Sequence, residues 1–280
     1  MSIYNVNAQE IFSGYDVDSN ELSHAYDVTG NAVFAPTPQN TFNVMTYNVQ
    51  LWGGRNGNET LVRGIFSSTN PLLVGLQECR DVGTGIYVPD VFAYGAVGTK
   101  ENVNNPTAIM SNVPFTDFTA YSFTNGIARE YTKCYVTIGG KRIAWFNTHL
   151  DYYTGEFDPT SNHALQMNEI FDVVSQEDSF ILTGDFNCYG AQEYNDCIKP
   201  FVDAGYNLCN WTNETGYVDT WFQGTTVATA TDKLPCDNII TSADLTITNI
   251  EYNTAKLSLT SGQIDHIPII ATIVIPNAQS

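Results

Sequence analysis

Phe180-Ile-Leu-Thr-Gly-Asp-Phe-Asn187 decides how the rest of this chain is read. Phe180–Thr183 is apolar and β-prone, so it forms a short buried strand, and Gly184-Asp185 ends it on a polar turn. A strand that stops on a carboxylate holds an ionisable group rigidly at a sheet edge. Five more segments have this form. Phe42–Val49 carries Thr46-Tyr47-Asn48. Leu72–Leu76 leads into Gln77-Glu78. Ile143–Thr148 ends in Asn147-Thr148-His149. Cys236-Asp237-Asn238 opens the strand Asn238–Thr241, and Asp265-His266 precedes the apolar run Ile267–Ile275. Strand ends gather ligands into one crevice in α/β folds. This set of carboxylates, amides and imidazoles points to one site for hydrolysing a phosphate ester with a divalent cation.

Between these segments the periodicity alternates between two and 3.6. Ala108–Met110, Cys134–Ile138 and Leu245–Ile250 read as further strands, and Gly139-Gly140 closes a hairpin between Cys134–Ile138 and Ile143–Thr148. Glu59–Ser68 reads as a helix with Leu61, Val62, Ile65 and Phe66 on one face. Ser161 or Asn162 caps a helix through Ser175 with Leu165, Ile170, Phe171 and Val174 facing inward. Glu193–Ala204 is helical, interrupted or kinked at Pro200. The pattern predicts an α/β (α+β) layered fold, two packed sheets with helices outside.

Residues 4–36 differ from the rest. Tyr4-Asn-Val, Tyr15-Asp-Val and Tyr26-Asp-Val recur every eleven residues, with Ile11, Leu22 and Val33 in register. Each unit is a hairpin too small to bury its own face, so the module needs a neighbour: a protein partner, a larger assembly, or the main domain. Ala35–Thr41 reads as a linker. The expected organisation is a β-repeat module with linker over 1–40 and a catalytic domain over 41–280.

The chain has 280 residues and a formal net charge of −19, with only 11 Lys plus Arg. It therefore has no general attraction for nucleic acid. Local cleavage of nucleic acid stays open where a cation and a few Arg offset the repulsion. The six Cys form no C-x-x-C pair, and reduced thiols are the default reading. No signal peptide is readable, and no apolar run approaches the ~20 residues a membrane span needs. The expected location is cytoplasmic by default, with virion association or release by lysis as alternatives.

Each site residue carries a functional and a plain structural reading. Glu78 suits Mg²⁺, which takes few carboxylates plus water and substrate oxygens; it also reads as a capping or surface Glu. Asp185 and Asn187, one residue apart on an extended backbone, share a side and can orient or deprotonate a water, or belong to an ordinary turn. His149 reads as a phosphoryl donor or a satisfied structural His. Asp265 can reach the metal. His266 is a general base or phosphate donor whose orientation a second carboxylate, Asp237, would set. His163 reads as a capping or surface residue.

Met45-Thr-Tyr-Asn48, Leu76-Gln-Glu78, Ala108-Ile-Met-Ser111, Thr148-His-Leu150, Leu182-Thr-Gly-Asp-Phe-Asn187, Asp237-Asn-Ile-Ile240 and Asp265-His-Ile-Pro268 together resemble the endonuclease/exonuclease/phosphatase superfamily. That group includes pancreatic-type deoxyribonuclease, abasic-site endonucleases, neutral sphingomyelinases and inositol polyphosphate phosphatases. The resemblance spans residues 41–276. It implies two packed, mainly antiparallel sheets flanked by helices in four layers. It implies a cation, Mg²⁺ with Mn²⁺ or Ca²⁺ as alternatives, at Glu78 with Asn48 and Asp265 close by. Asp185 and Asn187 then position water and phosphate, His149 and His266 bind phosphate or move protons, and Asp237 pairs with His266. Arg129 and Arg80 resemble phosphate-contacting residues of the deoxyribonuclease branch, and Asp219 matches a recurrent structural Asp. There are departures: Ile264 stands for a usual Ser, Asn238 for an Arg or Tyr, and His163 for an Arg, although Gln166 is kept. The implied activity is metal-dependent phosphodiester hydrolysis, a DNase-like endonuclease first, with a phosphatase or phosphodiesterase on lipid or small-molecule phosphates as the alternative. A virion- or surface-associated component carrying such a domain is a third reading.

Overall fold

In a computed structural model of the chain, residues 40–52, 58–79, 91–98, 106–125, 129–152, 158, 160–188, 194–223, 230, 232–253 and 265–276 are described. The eleven-residue repeat, the linker before Asn40, Arg80 and Ile264 lie outside them. In order the elements are β1 (Thr41–Trp52), α1 (Asn58–Thr69), β2 (Leu73–Cys79), β3 (Tyr94–Val97), β4 (Ala108–Ser111), β5 (Phe115–Ser122), β6 (Glu130–Ile138), β7 (Lys141–His149), α2 (Asn162–Val174) and β8 (Phe180–Asp185). A π turn (Tyr194–Ile198) runs into α3 (Lys199–Asp203). The rest is β9 (Asn207–Leu208), β10 (Trp221–Gln223), β11 (Asp232–Leu234), β12 (Asp237–Thr241), β13 (Thr246–Tyr252) and β14 (Ile269–Val274).

Two six-stranded sheets form, ordered β13-β14-β1-β2-β4-β3 and β5-β6-β7-β8-β12-β9, and β10 and β11 make a separate hairpin. Pairing is mainly antiparallel. Each sheet has one parallel pair at its centre, β1 with β2 and β7 with β8. Each pair is joined through a helix, α1 or α2, because parallel neighbours need a crossover.

Side-chain alternation builds four layers. Along β1, Phe42 and Val44 face the second sheet, where they meet Val136, Ile143, Trp145 and Ile181. Met45, Tyr47 and Val49 face the other way and pack with Val62, Ile65 and Phe66 of α1. On the second sheet, Phe146, Phe180 and Leu182 pack with Met167, Ile170 and Val174 of α2. The two-sheet sandwich with outer helices expected from the sequence is what forms. Among the described residues no helix is long and apolar enough to cross a membrane.

The structure corrects several details. Leu165 is 44% exposed, and the inward stripe of α2 is instead His163, Ala164, Gln166, Met167, Ile170 and Val174. Ser161 caps α2, its hydroxyl accepting from Ala164 N. Of the two outcomes expected at Pro200 the interruption is the one seen: the π turn gives way to α3, and Pro200 sits in the first turn of α3, where the missing N–H costs nothing. Strands β3, β5, β9, β10 and β11 had no clear signal; β5 is an edge strand with a mostly part-exposed pattern, and the others are short.

Candidate active site

The four parallel strands end at one edge of the sandwich, and the antiparallel strands β12 and β14 begin there. Ladder register does the gathering. His149 pairs with Asp185 between β7 and β8, and Asp185 pairs with Asp237 between β8 and β12. Asn48 pairs with Gln77 between β1 and β2, and His266 bridges to Trp221. The result is a cavity of about 340 Å³ lined by Asn48, Gln50, Glu78, Arg129, His149, Tyr152, Asp185, Asn187, Trp221, Leu234, Cys236, Asp265 and His266.

Asp185 is at the centre and 1% exposed. Its Oδ2 accepts from Asn48 Nδ2 at 2.9 Å and its Oδ1 from the Asn187 amide at 3.0 Å. Two imidazoles flank it, His149 Nε2 at 3.6 Å and His266 Nε2 at 3.7 Å. Behind, His266 Nδ1 donates to Asp237 Oδ2 at 2.8 Å. Asp237 is fully buried and is absent from the cavity wall; it acts through His266.

The charges sort themselves by environment. Burial, then the Asp237 charge, raises Asp185 above the ordinary carboxylate range, opposed by His266 and by the Asn48 and Asn187 donors. Burial works against a charge on His266, but Asp237 and Asp185 overcome it and hold the imidazole well above its ordinary value. Burial, then Arg129 and His266, pushes His149 well below the ordinary imidazole value. The surroundings thus favour the cation on His266 and the neutral form on His149. Two His pushed in opposite directions within one cavity is the arrangement of a divided acid–base role.

Glu78 reaches the cavity by a backbone irregularity. Alternation along β2 would place it on the Val74 and Leu76 face, under α1. Its φ of +55° turns the chain out of the strand path. Gln50 (φ +49°) and Asn187 (φ +49°) are likewise left-handed and likewise line the cavity. Such strain concentrates at functional sites. The expectation of an extended Asp185–Asn187 segment is corrected here: β8 ends at Asp185, Asn187 is left-handed, and its Nδ2 donates to Leu150 O at 2.9 Å. Asp265 Oδ2 accepts from Trp221 Nε1 at 3.0 Å and Gln50 Nε2 at 3.2 Å. Arg129 lies in the wall, 9% exposed, with Nη1 buried and unpartnered.

The donor set fits a divalent cation. Glu78, Asp265 and Asn48 offer hard oxygens at the cavity wall. Burial raises Glu78 above the ordinary carboxylate range, opposed by His266, by the Asn48 donor and by Arg129. Asp185, Asp237 and His266 also bring ligand atoms within 4.8 Å of one another. Asp237 of that cluster is absent from the cavity wall and is engaged by His266, whereas Glu78 and Asp265 are both in the wall, which favours these two as the ligands.

Asn48, Glu78, Arg129, His149, Asp185, Asn187, Asp265 and His266 thus converge on one cavity, with Asp237 behind it. Arg80 lies outside the described residues. His163 is not a surface residue: it is 1% exposed, and its Nε2 donates to Phe186 O at 2.6 Å. Sequence reading missed Gln50, Tyr152, Trp221 and Leu234; Gln50 alone had a signal, being on the same side of β1 as Asn48. It also missed a buried polar ladder beneath the site. Gln77 Nε2 donates to Asn147 Oδ1 at 2.7 Å, Asn147 Nδ2 to Leu76 O and Ala108 O at 2.9 Å, and Thr183 Oγ1 to Phe146 O at 3.0 Å. This satisfied network ties the two sheets under the cavity floor.

No protein-family model and no curated protein sequence matches the chain. Solved structures do. Truncated TDP2 from Caenorhabditis elegans matches with a TM-score of 0.63 at 20% identity, over 84% of this chain and 97% of that one. TDP2 from D. rerio, complexed with single-strand DNA product, gives 0.66 at 18% identity over 83% and 98%. An endonuclease/exonuclease/phosphatase from Bacteroides vulgatus gives 0.66 at 16% identity over 84% and 99%. The chain has the endonuclease/exonuclease/phosphatase fold.

Proposed function

We propose that this protein is a divalent-metal-dependent phosphodiester hydrolase, with nucleic acid as its first candidate substrate. One observation carries the reading: a buried Asp185 held between two imidazoles, His149 and His266, with the carboxylate Glu78 in the same cavity wall. Asp185, fixed by Asn48 and the backbone amide of Asn187, takes the proton of an attacking water; as the water oxygen bonds to phosphorus the ester P–O bond breaks, and the departing alkoxide takes a proton from solvent water. Arg129 and the His266 cation stabilise the charge that builds on the phosphoryl oxygens; one such donor typically contributes about 3–4 kcal/mol. His149 donates a neutral hydrogen bond to the same group. Glu78, Asp265 and Asn48 would hold a divalent cation, which would supply Lewis-acid polarisation of a phosphoryl oxygen.

Charge favours a diester over a monoester. Glu78, Asp185, Asp237 and Asp265 outnumber Arg129 and the His266 cation by two negative charges. One divalent ion restores neutrality. A diester brings a single negative charge, whereas a phosphomonoester brings about −1.5 to −2. The alternative, a phosphodiesterase on lipid or small-molecule phosphates, draws support from the net charge of −19, which repels polyanions. The resemblance to TDP2 bound to single-strand DNA product supports the nucleic-acid reading.

The test is a panel of supercoiled plasmid, single-stranded DNA, RNA, sphingomyelin and phosphoinositides, each with MgCl₂ and with chelator, using wild type and Asp185→Ala. Metal-dependent hydrolysis of a diester, lost in Asp185→Ala, is the expected result. No metal-dependent turnover of any diester, or turnover indifferent to Asp185→Ala, rules the proposal out.

A further inference from the structure

We infer that His163, in the first turn of α2, is a positioning residue of this site: it holds the carbonyl of Phe186 and so fixes the turn that presents Asp185 and Asn187. The inference builds on the hydrolase reading above. His163 is 1% exposed and is absent from the cavity wall. Its Nε2 lies 2.6 Å from Phe186 O. A carbonyl only accepts, so Nε2 carries the proton and the tautomer is set. Nδ1 is then a bare acceptor, buried and unpartnered. An unmet buried acceptor is costly, and it is tolerated here beside the turn that carries the central carboxylate.

That turn is cross-tied. Leu150 N donates to Asp185 O at 3.0 Å, and Asn187 Nδ2 donates back to Leu150 O at 2.9 Å. The segments that follow β7 and β8, which carry His149 and Asp185, therefore move as one. Phe186 O takes its short hydrogen bond from His163 at 2.6 Å, with the Cys188 thiol a longer second donor at 3.7 Å. Three residues on, along the same helix face, fully buried Gln166 accepts from Asp151 N at 2.7 Å through Oε1. Two side chains of one helical turn thus fasten both segments to a rigid element. Asn187 keeps its left-handed backbone (φ +49°) only while its surroundings enforce it.

The experiment compares wild type, His163→Leu, His163→Gln and Gln166→Leu, with the metal-loaded full chain. Two readouts are needed: kcat and KM on the diester turned over by wild type, and amide hydrogen exchange resolved to residues. His163→Leu should lower kcat ten- to a hundredfold, the usual range for outer partners of a catalytic group, with KM within about twofold. Exchange at Leu150 and Asn187 should quicken at least tenfold, while the β6–β7 ladder is unchanged. His163→Gln keeps an N–H donor and should restore kcat to within about threefold and the exchange to near wild type. Gln166→Leu should loosen Asp151 and Leu150 in the same way. Unchanged exchange at Leu150 and Asn187 in His163→Leu overturns the inference. So does quickening spread evenly over the second sheet with no rescue by Gln, which marks core packing alone. A wild type that hydrolyses no diester removes the functional reading, and the exchange comparison still decides what His163 holds.

Discussion

Asp237→Asn separates charge from shape at this site. The amide is isosteric, keeps its place opposite Asp185 in the β8–β12 ladder, and can still accept from His266 Nδ1 at the present 2.8 Å. What disappears is one buried negative charge. A hydrogen bond to a charged group contributes about 1.5–3 kcal/mol and a neutral one about 0.5–1.5, so roughly 1–2 kcal/mol of support for the His266 cation is lost. At 1.36 kcal/mol per pH unit, that moves the titration of His266 down by about one pH unit. Asp185 moves the same way, because the Asp237 charge is among the causes raising it. The signs follow. His266 has a raised value, so its cation is present below that value and lost as pH climbs through it; lowering it brings the alkaline loss of activity earlier. Asp185 must be ionised to act as base, so lowering its value extends activity to more acid pH. The whole rate–pH bell should therefore slide to lower pH, with about a tenfold loss at the old alkaline edge. The assay is the initial rate on bis(p-nitrophenyl) phosphate with MgCl₂ across pH 5–10, with the thermal midpoint as a check on folding. A bell that keeps both edges and only shrinks, or whose alkaline edge rises, refutes the reasoning.

Three other outcomes are expected. Gly75→Ala sets a Cβ 2.1 Å from Thr183 Oγ1 and 2.6 Å from Asn147 Oδ1. Overpacking together with a broken buried network costs about 3 kcal/mol, a fall of roughly 6–12 °C in Tm for a chain of this size; a calorimetric fall under ~1 °C would contradict the ladder described beneath the cavity. Glu78→Gln should weaken Mg²⁺ binding in titration calorimetry at least about tenfold and depress kcat with it; unchanged Mg²⁺ affinity would remove Glu78 from the ligand set. On DNA, activity should rise, not fall, as NaCl goes from about 10 to 150 mM, because salt screens the repulsion between a −19 chain and the polyanion. A steep fall with salt would instead reveal a basic binding face.

The recurring form, an apolar strand ending on a polar residue, made most of the site legible from sequence. Asn48, His149, Asp185, Asp237 and His266 were found because a two-residue period sets which face each side chain takes, and a strand end sets where it stops. Asn187 was found for the wrong reason, as an extended neighbour of Asp185 rather than a left-handed one. His163 was misread because an imidazole at a helix start has no local mark of burial; only the packing of α2 on β7 and β8 hides it. Leu165 failed for the same reason in reverse. Gln77 and Asn147 stood in the strand-end segments without a role of their own, and Thr183 read as an ordinary strand residue, since their network exists only across two sheets.

The sequence by itself determined the layers and the polar residues that stand at the strand ends, because periodicity, capping and turn residues act over a few neighbours and are written in the order of side chains. The tertiary structure alone decided that a carboxylate would titrate high, one imidazole be charged and the other neutral, and Glu78 turn from the helix face into the cavity. Those outcomes depend on burial and on charges close in space but far apart in the chain, as Glu78 is from His266.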